Sequence, residues 1–155
     1  MPDDIASLRR ILQSCRCVAV VGLSDHWHRP SFFVAKYLQQ HGYRVIPVNP
    51  RYAGGEILGE KVYASLQEIP EPVDMVDVFR RSEEVLPIAQ QAVQIGAKCL
   101  WQQIGVHNAE ADALVRAAGL DSVMDRCTKI EHARLFGGLA WAGVNTGVVS
   151  ARRPV

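Results

Sequence analysis

No apolar run in the 155-residue sequence approaches the length needed to cross a bilayer, which excludes a helical membrane protein. The start, Met1-Pro2-Asp3-Asp4, lacks the basic-then-apolar pattern of a signal peptide, so cytoplasmic residence is the expectation. Cysteine is sparse. The four residues, at 15, 17, 99 and 127, form no CxxC pair and no dense disulfide framework, and three lie in or beside apolar strand-like runs, as free buried thiols do. Charge of one sign is also lacking: a net charge of +1 excludes a generally basic nucleic-acid binder. There is no internal repeat, P-loop lysine, nucleophile elbow or complete catalytic triad pattern. With 48% apolar and 21% charged residues, a single globular domain remains.

What is present is organised around Cys17 to Ser31. A β-branched run, Val18-Ala19-Val20-Val21, meets Gly22, crosses a polar loop and restarts in helical rhythm behind Pro30, which reads as strand, turn and helix N-terminus. Gly22 permits a sharp turn, and the first amides of the next helix offer an anion seat. The loop is not GxGxxG, so it points to a nucleotide or phosphate ligand without naming one.

Before this unit, Asp4 can cap a helix to about residue 14 with Ile5, Leu8, Ile11 and Leu12 on one face. After it, Phe33, Val34, Tyr37 and Leu38 supply an inward stripe until His41-Gly42, and Tyr43 to Val48 is a second strand. Residues 49–61 carry turn chemistry, with a short helix near 65–68. A third strand spans 73–79; then comes an initial turn over 82–86, with the main helix starting near Pro87 and ending at Gly96. Strand 98–103, an Asn108-capped helix carrying Leu114 and Val115 to Gly119, strand 122–125 and a helix begun by a Thr128–Glu131 capping box complete the pattern. This alternation predicts an α/β fold: a Rossmann-type, doubly wound, parallel five-stranded sheet in a three-layer αβα sandwich, in order 3-2-1-4-5. The domain is expected over residues 1–136. The apolar tail 137–155, with Leu139, Trp141, Val144, Val148 and Val149, is expected to pack on the domain or, as a homodimer contact, on a partner subunit.

Ligands of such sheets bind outside the strands' carboxyl ends. The first strand is followed by Ser24, His26, His28, Arg29 and Ser31, the second by Asn49, Pro50, Arg51 and Tyr52. Arg80, Arg81 and Ser82 follow the third, Gln102, Gln103 and His107 the fourth, and Arg126 and Thr128 the fifth. Arginine thus recurs at four of five ends of a nearly neutral chain, and guanidiniums beside helix N-termini suit several phosphate groups. Asn49-Pro50-Arg51 stands where an NAD site carries an acidic residue, so a ribose bearing a phosphate fits better, as in NADP or coenzyme A. Asn49-Pro50 also serves simply as a turn.

Other constellations are weaker. His26 and His28 form a loop HxH without a third ligand, so no metal is expected. Cys127 and His132 are poorly spaced to face each other on a helix, which favours a structural thiol. Trp27 lies in the glycine loop, where it could shield a ligand, and Trp101 belongs to a strand and the core. Asp74 and Asp77 point to opposite faces of a strand and do not pair for acid–base work.

With Val18 to Ser24, Arg29-Pro30-Ser31, Gly42 to Pro50, Ile57-Leu58-Gly59, Val76 to Arg80, Leu100 to Gly105 and Met124 to Cys127 assembled, the chain resembles the CoA-binding domain family. These are small proteins similar to the nucleotide-binding domain of the succinyl-CoA synthetase alpha subunit. The resemblance implies that Gly22, Ser24 and Arg29-Pro30-Ser31 seat a diphosphate, and that Asn49, Pro50 and Arg51 lie near the adenosine ribose and its phosphate. It implies that Phe79 and Arg80 flank the adenine or diphosphate, and that Gln102, Gln103 and Gly105 line the pantetheine exit. No synthetase-type second domain with a phosphorylated histidine is expected, so binding of coenzyme A or an acyl-CoA without catalytic machinery is the expected function. An NADP-linked oxidoreductase or a regulatory interaction module is the alternative. No nucleic-acid or membrane partner is expected.

Overall fold

The computed structural model describes residues 4–137. In chain order these form α1 (Ile5–Ser14), β1 (Cys17–Val21), α2 (Pro30–Gln40), β2 (Arg44–Val48), β3 (Glu56–Ile57) and β4 (Glu60–Lys61). Then follow β5 (Met75–Val78), α3 (Val85–Gln94), β6 (Cys99–Gln102), α4 (Ala109–Ala117), β7 (Asp121–Val123) and α5 (Thr128–Phe136). The main sheet is parallel throughout, in order β2-β1-β5-β6-β7, and β3 and β4 pair separately as an antiparallel ribbon.

Side chains alternate across each strand, so β1 feeds two cores. Val18 and Val20 join Leu8, Ile11, Leu12, Val34, Leu38 and Trp101 beneath α1, α2 and α5. Ala19 and Val21 join Ile46, Val76, Leu100, Ala89, Ala92 and Val115 beneath α3 and α4. Helices on both faces explain why these strands read as unbroken apolar runs.

The expected Rossmann-type sandwich is present, but its strand order differs. The third long strand, β5, pairs with β1 and not with β2. The outer edge of β2 is already taken: Tyr63 bridges Val48, donating its amide to the Pro47 carbonyl at 3.0 Å, and accepts the Asn49 amide at 2.9 Å. The irregular segment after β2 therefore occupies the place the expected order gave to a strand.

Local departures have similar causes. Asp4 caps α1 through the Ser7 amide at 2.7 Å, yet Ile5 is exposed and packing begins at Leu8. On α2 the inward stripe is Ser31, Val34, Ala35 and Leu38; Phe33 falls outside it and is exposed. α3 begins two residues before Pro87, whose missing donor falls in the first turn where none is used. β7 ends at Val123, short of the expected 125. No helix of the described residues is long and apolar enough to cross a membrane. The tail expected to pack on the domain or a partner lies outside the described residues, Gly137 excepted.

Candidate functional site

The residues following all five parallel strands converge on one cleft of about 1250 Å³, with α2 along its wall. At its centre the chain leaves β1 through Gly22, whose φ is +89° and whose amide donates to the Val48 carbonyl at 2.8 Å. A Cβ there would stand 2.3 Å from the Phe79 carbonyl oxygen, so the β1 and β5 turns touch backbone to backbone. The loop is then pinned to the helix it feeds. The Ser24 amide donates to the Ser31 hydroxyl at 3.0 Å, and the Ser24 hydroxyl accepts from the His26 amide at 3.0 Å.

Pro30 opens α2, and the Arg29 carbonyl accepts the amides of Phe32 and Phe33 at 3.0 and 3.2 Å. The Ser31 amide, in the same turn, has no acceptor among the described residues. This is the local geometry of an anion seat: a free amide at the positive end of an eleven-residue helix.

The charges around it fall into two kinds. Arg80 and Arg81 converge on Glu84, at 2.8 and 3.2 Å, and are partly neutralised. Arg29 and Arg51 line the cleft with no carboxylate partner among the described residues, Arg51 lying 5.7 Å from the centre of the Tyr52 ring. Asn49 positions Arg51. Its side-chain oxygen accepts the Arg51 amide at 3.0 Å, and its amide group donates to the Leu23 carbonyl at 3.1 Å, tying the β2 end to the β1 loop. Both groups of a nearly buried side chain are thus spent within the protein, which leaves Asn49 a bracing role. Asn49→Ala is expected to cost about 1–3 kcal/mol of stability through the orphaned Leu23 carbonyl and Arg51 amide, read by thermal denaturation.

Of the thirteen sequence-derived site residues, Gly22, Ser24, Arg29, Pro30, Ser31, Asn49, Arg51, Phe79, Arg80, Gln103 and Gly105 line the cleft. Two do not. Pro50 faces a smaller hollow with Leu66 and Glu84. Gln102, fully buried, holds the backbone of Asn108: its oxygen accepts the Asn108 amide at 2.8 Å, and its amide donates to the Asn108 carbonyl at 3.4 Å. Alternation along β6 turns Gln102 to the face opposite Trp101, so consecutive glutamines have different tasks. Gly105 is held by Asp125, whose carboxylate accepts its amide at 2.7 Å from a backbone with φ +59°.

The floor is polar and closed. Asp77 is fully buried; it accepts from the Gln103 amide group and, at 3.1 Å, from the Thr128 hydroxyl, while Gln103 also donates to Thr128 at 3.0 Å. Burial pushes the Asp77 carboxyl up to about 7 against these two donors. The expected capping box is therefore absent. Cys127 occupies the cap position of α5, Thr128 serves Asp77, and Glu131 pairs with Arg134 and, at 3.7 Å, with Arg126. A buried carboxyl needs donors more than the helix end does.

The α5 side of the cleft was not foreseen: Tyr37, Cys127, Lys129 and Ile130 line it. In the sequence Tyr37 reads as part of the inward stripe of α2 and Lys129 as the interior of a capping box, so no local signal marks either; only the fold brings the lysine to the aromatic ring. Burial raises the Cys127 thiol, and His132 is hydrogen-bonded to the Tyr37 hydroxyl at 2.8 Å and pushed down to about 4 by burial, His41 and Arg16. Trp101 is core, its indole N–H on the Arg126 carbonyl at 2.8 Å, whereas Trp27 is 71% exposed against the edge of His28. His26 and His28 are exposed neighbours, and no group of three potential metal ligands occurs among the described residues.

A family model described as the CoA binding domain matches residues 16–133. The chain belongs to the CoA binding domain family. Within it, "Uncharacterized protein YneT" of Bacillus subtilis is 43% identical over 128 residues, covering 83% of this chain and 93% of that one. A structure of a hypothetical protein from Pyrococcus horikoshii OT3 superposes with a TM-score of 0.83 at 40% identity, over 86% of this chain and 93% of the other. The acetate–CoA ligase (ADP-forming) II of Archaeoglobus fulgidus is 33% identical over 85 residues, 54% of this chain but 12% of the ligase, so the family domain corresponds to a fragment of that enzyme.

Proposed function

We propose that the cleft binds coenzyme A or an acyl-CoA through its 3′-phospho-ADP portion. The observation that carries this reading is the cluster of phosphate-seeking groups in one cleft of a nearly neutral chain: the free Ser31 amide at the start of α2, with the unpaired guanidiniums of Arg29 and Arg51. The diphosphate lies against the Gly22–Ser31 turn, within reach of Arg29. Arg51, at the neighbouring strand end, takes the phosphate on the ribose. Phe79 flanks the nucleotide, and the chain toward the thiol leaves past Gln103 and Gly105.

The protein acts as a carrier or sensor of the ligand, without covalent chemistry of its own. In support, burial keeps the Cys127 thiol protonated, and His132, neutral and engaged by Tyr37, serves neither as base nor as partner to that thiol. Residence in the cytoplasm, where CoA is available, fits this role.

Calorimetric titration with CoA, 3′-dephospho-CoA, NADP and ADP tests the reading. Arg51→Ala is expected to weaken CoA by about 1.5–3 kcal/mol, the worth of a hydrogen bond to a charged group, and to leave 3′-dephospho-CoA nearly unchanged. Equal losses would remove Arg51 from the ribose phosphate. Binding of NADP without CoA would replace the proposal by the NADP-linked reading, whose ligand shares that phosphate.

A further inference from the structure

The α5 end of the cleft contains a cation with no counter-ion. Lys129 is 7% exposed, lines the cleft, and has no carboxylate partner among the described residues; its ammonium lies 5.5 Å from the centre of the Tyr37 ring. Burying an ammonium unpaired is costly, and burial correspondingly lowers its proton affinity. The position adds to the cost. Lys129 is the second residue of α5, where the helix dipole favours anions, and Cys127 supplies no side-chain cap.

The neighbouring acids are all committed elsewhere. Glu131 is held by Arg134 and Arg126, and Asp77 lies behind Gln103 and Thr128. A positive charge on a largely buried side chain at a positive helix end, lining the cleft, is complementary to an anion arriving through that cleft.

Its place along the cleft indicates which anion. Tyr37 is seven residues beyond Pro30, about 10 Å along α2 from the seat assigned to the diphosphate. Arg51, assigned to the ribose phosphate, follows β2 at the opposite edge of the sheet from β7, whereas α5 returns from β7 to pack on α1 and α2. Lys129 follows Thr128, whose hydroxyl accepts from Gln103 at 3.0 Å, and so lines the cleft on the Gln103 side, toward which the thiol end of the ligand leaves. An anion there belongs to the acyl group.

Resting on the reading of the cleft as a CoA site, we infer that Lys129, with Tyr37 beside it, forms a subsite for the free carboxylate of an acyl chain. The preferred ligand is then a CoA thioester of a dicarboxylic acid. Lys36, exposed at the cleft rim on the same helix, adds to the favourable potential.

The test uses stable thioethers in place of thioesters. CoA, S-butyl-CoA and S-(3-carboxypropyl)-CoA, with glutarate and inorganic phosphate as free anions, are titrated calorimetrically into the wild-type, Lys129→Met and Lys129→Arg proteins. Wild type is expected to prefer the carboxypropyl to the butyl thioether by about tenfold or more. Lys129→Met should abolish that preference, Lys129→Arg should keep most of it, and CoA itself should bind all three within about twofold. Equal affinity of the two thioethers for wild type overturns the subsite without recourse to any variant, as does a preference that persists in a folded Lys129→Met protein. A Lys129→Met protein that melts normally but loses CoA assigns the lysine to the CoA portion and also overturns it. Stronger binding of phosphate than of the carboxypropyl group would make the site a phosphate site. Failure of wild type to bind CoA at all is a separate result that removes the CoA reading and this subsite with it.

Discussion

Gly22→Ala is expected to lower stability by about 2–5 kcal/mol, to reduce the melting temperature by roughly 10 °C, and to abolish CoA binding. Two costs add. The residue sits at φ +89°, where an L side chain loses about 1–2 kcal/mol, and the new Cβ would lie 2.3 Å from the Phe79 carbonyl oxygen and 2.8 Å from Cδ of Arg80. Backbone cannot rotate aside, so relief requires separating the turns after β1 and β5, and those turns carry the anion seat and Arg80. Gly59→Ala is the control. Its φ is +78° but nothing lies within 4 Å of the added Cβ, so it should pay the conformational cost alone and bind CoA normally. Thermal denaturation and a CoA titration of both variants separate the terms; equal destabilisation would mean that the close approach to Phe79 is relaxed at little cost.

That contact was half legible beforehand. The Val18–Gly22 run and Pro30 dictate a strand, a turn and a helix start from local chemistry, and each is found in place. What Gly22 touches is a property of strand neighbours, and there the expected order 3-2-1-4-5 misled. Pairing is decided by which edges are free, and Tyr63 closes the β2 edge with two backbone hydrogen bonds that no periodicity announces. Most of the strand-end residues line one cleft because a cleft at this edge is built from such ends whatever their order. Gln102 does not line it, because one residue of register reverses the face, while Tyr37 and Lys129 approach it from helices, which a reading of strand ends does not reach. Asn49 lines the cleft, but its bracing bonds to Leu23 and Arg51 join residues of two strand ends and are not legible from either end alone.

The buried floor gives the other large effect, and its sign is opposite to the usual one for a carboxylate. Asp77 titrates near 3.8 in an unfolded chain and is raised to about 7 in the folded protein. Between those values the unfolded chain has released the proton and the folded protein still holds it, so stability falls as pH rises. The contribution is fully present below pH 4 and lost by about pH 7, on the order of 4 kcal/mol over the window. Asp77→Asn removes the titrating group while keeping its volume and an acceptor for Gln103. The variant should melt with little pH dependence between 4 and 7 and should exceed wild type in stability at pH 8. Asp77→Leu separates charge from hydrogen bonding: it is also free of the pH slope, but the Thr128 hydroxyl and one of the two Gln103 amide hydrogens lose their acceptor while Gln103 keeps its bond to Thr128, at about 1–3 kcal/mol for a group left unsatisfied. Denaturant melts of the three proteins at pH 4.5, 6 and 8 provide the measurement. A wild-type protein that gains stability from pH 4.5 to pH 8 relative to Asp77→Asn would show that Gln103 and Thr128 hold the carboxylate ionised. The cleft would then rest on a fixed negative charge beneath Gln103, unfavourable to an anionic ligand passing over it.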